Sequence, residues 1–262
     1  MSRICPLYSG STGNSTYIAS QNGGILIDAG ASAKGISAAL ERAGGSFEEI
    51  KAIAVTHIHS DHIKGLKTVL KKTGAQLIAT TATLEYLADN DKIPEGITVT
   101  AIENNLIDIC GMGLKSFATS HDCEGSCGYS VALPDGKVIS VCTDLGVVTD
   151  SVRNAITGSD AVLLESNHDI DMLKKGPYPP HLKLRILSEE GHISNNACAK
   201  ELKMLLGSGT SRFILGHLSR HNNTPLLAQS CAEAALIDIG AVNGRDYRLC
   251  VAKPENNGVT VI

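Results

Sequence analysis

Four short apolar runs in this sequence end in the same way, each in a single side chain able to bind a metal ion. "IKAIAVTH" delivers His57, "SFATSHD" His121, "VISVCTD" Asp144 and "RFILGH" His217. A short apolar run bounded by polar residues reads as a buried strand, and open α/β folds gather ligands at the carboxyl ends of their strands. The repeated pattern constrains the chain to a layered α/β fold whose strand ends converge on one cavity. The first run continues as "VTHIHSDHIKG", which adds His59, Asp61 and His62 to His57.

His57 and His59 are two residues apart, so in extended or turning backbone both imidazoles can point into one cavity. Asp61 and His62 follow where a helix begins. Imidazole and carboxylate together suit zinc, iron or manganese, and no thiolate lies close enough in sequence to suggest a structural cysteine-type zinc site. One loop supplies too few ligands for a catalytic site, and the strand ends carrying His121, Asp144 and His217 supply the remainder.

Strand-like and helical stretches alternate along the whole chain. "STYIAS" and "GGILIDAG" read as successive strands, the second ending at Asp28-Ala29-Gly30, with a helix over 32–43 after them. "IKGLKTVLKKTG" has apolar residues at helical spacing and stops at Gly74, and "TATLEYLADN" is a helix capped by Thr81 or Thr83. The middle is strand-rich, and Pro134-Asp135-Gly136 makes a hairpin turn because Pro fixes φ and Gly accepts positive φ. Strand "DAVLLES", helices "YPPHLKLRILSEE" and "NNACAKELKMLLG", strand "RFILGH", helix "TPLLAQSCAEAALIDIG" and two closing strands in "YRLCVAKPENNGVTVI" follow. No short internal repeat or low-complexity linker interrupts them. The expectation is one α/β domain over 1–262, two sheets face to face with helices outside.

Composition sets the remaining bounds. Hydrophobic residues make up 43%, but aromatics only 3% with no Trp, so the core is built from Ile, Leu, Val and Ala. A net charge of −4 argues against a basic coat, although a local basic patch is compatible with it. "MSRICPLYSGSTGNST" has no long apolar run, and no segment approaches the roughly 18 apolar residues of a membrane span. A cytoplasmic protein without membrane contact is expected, its eight cysteines reduced. Cys123 and Cys127 have zinc-like spacing but no second pair beside them.

HxHxDH followed by a later His, Asp and His resembles the metallo-β-lactamase fold superfamily, from about Cys5 to the end of the chain. "SGSTGNSTYI", "ILIDAGAS", "LESNHDIDML", "GPYPPHLKLRI", "GHISNNACA" and "LGHLSRHNNTP" narrow the resemblance to its YycJ/WalJ-like bacterial subfamily, implicated as 5′-to-3′ DNA exonucleases. The resemblance implies an αββα four-layer sandwich without an inserted cap domain. It also implies two divalent metal ions, zinc first, with manganese or iron as alternatives. His57, His59 and His121 would hold one ion, Asp61, His62 and His217 the other, and Asp144 would bridge them.

Asp61 is then the candidate to orient or deprotonate the attacking water. His192, in "GHISNN", is a candidate general acid or phosphate contact, and also an alternative ligand in place of His217. Ser194 and Asn195 read as a helix cap able to meet a phosphate. His168 is a candidate cleft or supporting residue, and Asn14, in the "SGSTGNS" turn, a residue oriented into the cleft. His181 and His221 are expected at the rim; the subfamily often carries an acidic residue at position 221. Lys64, Lys67 and Lys71 share one helical face, and Lys174, Lys175, Lys183 and Arg185 form a second basic run. Either could follow a phosphate backbone, and a solvated face explains either as well. DNA is the expected substrate, in a setting such as repair, bound independently of sequence. A small ester, lactone, thioester or cyclic phosphodiester is the alternative, and a non-catalytic metal-stabilised module has no use for seven ligands.

Overall fold

Ile25 and Ile27 are buried on one face of their strand and Leu26 on the other, and this two-residue alternation builds the layers of the molecule. The computed structural model describes residues 2–255 and 257–262. The chain begins with β1 (Arg3–Tyr8), β2 (Ser15–Ser20), β3 (Gly23–Ile27), α1 (Ala33–Arg42) and β4 (Ile50–Ala54). Next come α2 (Ser60–Ile63), α3 (Leu66–Thr73), β5 (Gln76–Ala79), α4 (Thr81–Asp89) and β6 (Val99–Ala101). The middle holds β7 (Leu106–Ile109), β8 (Met112–Ala118), β9 (Cys127–Ala132), β10 (Val138–Cys142), α5 (Asp150–Ile156) and β11 (Ala161–Glu165). The last part holds α6 (Ile170–Lys175), α7 (Pro180–Leu187), α8 (Asn195–Gly207), β12 (Arg212–Gly216), α9 (Pro225–Asp238), β13 (Arg248–Val251) and β14 (Thr260–Val261).

Two seven-stranded sheets result, ordered β14-β1-β2-β3-β4-β5-β6 and β13-β12-β11-β10-β9-β8-β7. Strands β3 to β6 run parallel in the first sheet, and β10 to β13 in the second. Ile25, Ile27, Ala52 and Ile78 of the first sheet meet Tyr129, Val131, Val141 and Leu163 of the second in the central core. On the outer face of the first sheet, Leu26, Ile53 and Leu77 pack with Ile36 and Leu40 of α1 and Leu66 and Leu70 of α3. On the outer face of the second, Val162, Leu164 and Phe213 pack with Val152 of α5, Leu202 of α8 and Leu236 of α9. Each fully buried Leu or Ile contributes roughly 2 kcal/mol. The architecture is the αββα sandwich of the metallo-β-lactamase type.

Local chemistry explains where elements begin and end. Ser32 Oγ accepts from Gly35 N at 3.1 Å and starts α1, and Gly74, at φ 63°, stops α3. Gly136, at φ 81°, closes the β9–β10 hairpin, with Leu133 N donating to Lys137 O at 2.7 Å.

Three expectations are corrected. "IKGLKTVLKKTG" is not one helix: α2 and α3 part at Lys64-Gly65, where Gly65 N donates to Ala29 O at 2.8 Å and any Cβ would lie 2.0 Å from Ala31 O. The cap position of α4 is Thr80, not Thr81 or Thr83, and its hydroxyl accepts from no helix N–H, lying instead within reach of Gly125 O and Thr83 Oγ1. Strand β3 stops at Ile27, because Asp28 turns to a φ of 63°.

Candidate metal centre

Asp28, Asp144 and His217 lie at or just beyond strand ends with φ of 63°, 59° and 53°. Left-handed backbone costs a non-glycine residue about 1 kcal/mol and persists only where surrounding contacts enforce it. Here it turns each side chain out of its sheet toward the space where the parallel strands end. Three loops are knitted together at that edge. Asn14 N donates to Asp61 O at 2.7 Å, Gly30 N to Asn14 O at 2.8 Å and Ala29 N to His62 O at 2.9 Å. The approach is so close that a Cβ on Gly30 would meet Asp61 O at 1.6 Å.

Seven side chains converge there. His59 Nδ1 lies 3.1 Å from His57 Nε2 and 3.2 Å from His121 Nε2. Asp61 Oδ2 lies 3.6 Å from His62 Nε2 and 3.7 Å from His217 Nε2. Asp144 stands between the two groups, with Oδ2 3.3 Å from His62 Nε2 and Oδ1 3.9 Å from His121 Nε2. Four donors at tetrahedral positions around an ion with bonds of ~2.05 Å are about 3.3 Å apart, so the spacing suits a divalent metal. Two further observations fit. Asp144 Oδ2 and His217 Nε2 are buried with no hydrogen-bond partner, a costly condition unless another ligand serves them.

Four of the five candidate ligand imidazoles engage an acceptor through their other nitrogen. His62 Nδ1 meets Asp28 Oδ2 at 2.7 Å, and His57 Nδ1 meets Thr56 Oγ1 at 3.0 Å. His121 Nδ1 reaches Glu190 O at 3.1 Å, and His217 Nδ1 reaches Glu165 Oε1 at 2.8 Å. Such partners fix the tautomer and aim the remaining lone pair into the centre. Asp28 is itself held by Thr56 N and Thr56 Oγ1, both at 2.8 Å.

The electrostatics favour cations. Burial works against a charged His62, yet Asp144 and Asp28 outweigh it and raise its pKa to about 10. Burial likewise opposes charge on Asp144, and His217 and His62 hold its carboxyl well below the usual range. His57, more distant from carboxylates, is pushed well below its ordinary value by burial and by His62.

Glu165, the last residue of β11, is fully buried, and Asp28 and Glu165 were both absent from the expected site. Glu165 Oε1 accepts from His192 Nδ1 and His217 Nδ1, both at 2.8 Å, and Oε2 accepts from Leu145 N at 3.2 Å. Burial alone would raise its pKa, but His192 and His217 hold it at about 2. The sequence did carry the signal, since "ILID" and "AVLLE" end apolar runs in a carboxylate just as "VISVCTD" does.

His192 lines the cleft above the centre with His59, Asp61, Asp144 and His217, a space of about 340 Å3 whose other wall includes Tyr178 and Arg185. Asn14 is buried, and its Nδ2 donates to Asp61 Oδ2 at 3.1 Å. Ser194 is the cap of α8 and accepts from Ala197 N at 3.3 Å. Asn195 is buried in a network with Ser166 and Asn223. His168 is only 1% exposed, with both ring nitrogens unpartnered. Among the described residues, no candidate metal group includes Cys123 or Cys127. Lys67 pairs with Asp91 at 2.5 Å, and neither it nor Lys71 lines the cleft.

Two facing sheets with helices outside, and histidine and aspartate side chains spaced to hold metal at their shared edge, define a metal-binding fold class. The chain belongs to the beta-lactamase superfamily, whose domain model matches residues 24–218. It is 35% identical over 257 residues to exodeoxyribonuclease WalJ of Streptococcus pneumoniae, covering 95% of this chain and 93% of that protein. It is 33% identical over 252 residues to exodeoxyribonuclease YycJ of Bacillus anthracis, covering 95% and 94%. Among solved structures, the metallo-β-lactamase fold protein YhfI of Bacillus subtilis superposes with a TM-score of 0.74 at 14% identity, over 99% of this chain and 98% of that one.

Proposed function

We propose that this chain is a metal-dependent phosphodiester hydrolase that shortens DNA from an end, 5′ to 3′, without reading its sequence. The observation that carries the reading is the Glu165–His192 pair, a buried carboxylate holding a cleft-lining imidazole beside the ligand set. The names of the two relatives, both exodeoxyribonucleases, support it. In this reading residues 1–262 form one such domain with no inserted cap. The eight cysteines are free, which suits a reducing cytoplasm, and no helix among the described residues is long and apolar enough to cross a membrane.

His57, His59 and His121 would hold one divalent ion, Asp61, His62 and His217 a second, and Asp144 would serve both. Nitrogen and carboxylate donors suit zinc, with manganese or iron as alternatives. When bound, the ions supply Lewis acidity, stabilising charge on phosphoryl oxygens and favouring ionisation of water.

The side chains do the remainder. Asn14 fixes Asp61, which orients the attacking water and accepts its proton. Glu165 holds His192 Nδ1 and leaves Nε2–H to protonate the oxygen that departs from phosphorus. Burial opposes a charged His192, but Glu165 outweighs it and raises the pKa, so more of the acid form is present at neutral pH than for a free imidazole. Ser194 lies at the α8 cap, where the positive end of the helix dipole favours an anion. Asn195 and Asn14 act through the neighbours they hold.

The test uses metal-quantified protein on 3′-labelled single- and double-stranded DNA, with zinc, manganese or magnesium added and Asp61→Ala as control. Progressive shortening absent from the control is expected. Intact DNA beside a full metal content would overturn the nuclease and leave the second reading, a hydrolase of a small ester, lactone, thioester or cyclic phosphodiester, which a cleft of about 340 Å3 also fits.

A further inference from the structure

The wall of the cleft opposite the metal centre is built by the segment joining α6 to α7 and by one face of α7. Tyr178 stands between Pro177 and Pro179 in "GPYPPH". Pro179 holds its φ at −65°, and a residue before proline is confined to extended backbone. The ring of Tyr178 is therefore presented by a stiff segment. It is half-buried and packs edge-on against His221, with ring centroids 5.7 Å apart and planes at 60°. One turn and two turns further along α7, Leu182, Arg185 and Ile186 line the same cleft.

Every other Phe or Tyr of this aromatic-poor chain lies elsewhere, so Tyr178 is the one Phe or Tyr among the described residues that lines the metal cleft. Arg185 Nε is bound to Asp122 Oδ2 at 2.5 Å, and the side chain is still 48% exposed. Asp122 Oδ1 lies 3.5 Å from both His59 Nε2 and His121 Nε2, so this pair anchors α7 to the edge of the metal centre. The wall thus offers an aromatic ring flanked by apolar side chains, then a guanidinium, then the metal ligands. A nucleotide has the same order of parts: base, then phosphate. Base-to-aromatic stacking tolerates any sequence and is worth roughly 1–3 kcal/mol per base. A guanidinium matches phosphate with paired N–H donors.

We infer that Tyr178, backed by His221, is a stacking platform for the terminal base of a nucleic-acid strand, with Arg185 on the adjoining phosphate. The inference rests on the nucleic-acid reading above and assigns the end of the strand to one wall of the cleft. Tyr178 is a positioning residue: it touches the base, not the reacting phosphorus.

The test compares wild type, Tyr178→Ala and Tyr178→Phe on DNA ending in an ordinary nucleotide and on the same DNA ending in an abasic residue. The expected readout is the ratio of KM between the two ends. Wild type favours the base-bearing end by roughly ten-fold, Tyr178→Ala loses that preference, and Tyr178→Phe, which keeps the ring, restores it. Equal loss on both substrates would overturn the platform and leave Tyr178 a structural residue. If wild type shortens no DNA, calorimetry separates the two ideas, with deoxyadenosine monophosphate and deoxyribose 5-phosphate as probes. Weaker binding of the first alone by Tyr178→Ala keeps the platform and discards the nuclease; no difference between the probes discards the platform.

Discussion

At the scale of single residues, the centre is held together by charges that have nowhere else to go. Asp144 is 2% exposed, and its carboxylate faces His62, His217 and His121 at once. Asp144→Asn keeps the shape and removes the charge. Metal affinity should fall at least 10- to 100-fold, roughly the cost of losing even a supporting partner, as read by elemental analysis and chelator competition; normal occupancy would remove Asp144 from the ligand set. His168 supplies a prediction of a different kind. Burial drives its pKa from 6.5 down to about 4. Below pH 6.5 the unfolded chain takes up a proton that the folded chain refuses, so this stability is intact above 6.5 and is lost as the pH falls toward 4. The full loss is about 3 kcal/mol. Urea unfolding of wild type and His168→Gln from pH 7 to pH 4.5 should show a shallower decline for the variant. A parallel decline, with activity lost instead, would point to a substrate contact.

At the scale of elements, glycine decides how closely the ligand loop can be clamped. Gly65→Ala would push a Cβ to 2.0 Å from Ala31 O, which belongs to the backbone and cannot swing aside. A cost of roughly 1–3 kcal/mol and reduced metal content follow, because Asp61 and His62 lie immediately before this junction. Gly74→Ala is the control: nothing lies within 4 Å of its Cβ, and its φ of 63° alone costs about 1 kcal/mol. Thermal unfolding with metal quantification should separate them, Gly74→Ala losing stability without losing metal. The same junction shows what could be read in advance. The convergence of His57, His121, Asp144 and His217 was legible because a buried apolar run and a polar metal-binding type of side chain leave opposite marks side by side on a strand. The break between α2 and α3 was not, since helical spacing continues through Gly65 and the cause is a carbonyl from a loop thirty-odd residues earlier. Helices α5 and α6, of seven and six residues, went unread because neither is long enough to establish a period. Asp28 and Glu165 were overlooked because each completes a histidine from a distant segment instead of filling a position in a local motif.

At the scale of the whole molecule, the candidate ligands divide between the sheets. His57, His59, Asp61 and His62 follow β4 of the first, whereas His121, Asp144 and His217 follow β8, β10 and β12 of the second. The centre can keep its spacing only if the two sheets keep theirs. Directly beneath it they are stitched twice: Tyr129 Oη donates to Val55 O at 2.7 Å, and Cys127 N donates to Thr56 O at 3.0 Å. Tyr129→Phe removes one hydroxyl from the central core and leaves a buried carbonyl without that donor, a cost of roughly 1–3 kcal/mol. For a chain of this size each kcal/mol lowers the melting temperature by roughly 2–4 °C. Phe213→Leu, on the outer face of the second sheet, should cost a comparable amount. The two differ in what else they disturb. If the stitches set the distance between the halves of the centre, Tyr129→Phe weakens zinc binding in a chelator competition while Phe213→Leu does not. Equal zinc affinity in both would mean that the ligand loops are positioned by their own knitting, Asn14 to Asp61 and Ala29 to His62, and that the sheets beneath them only supply stability.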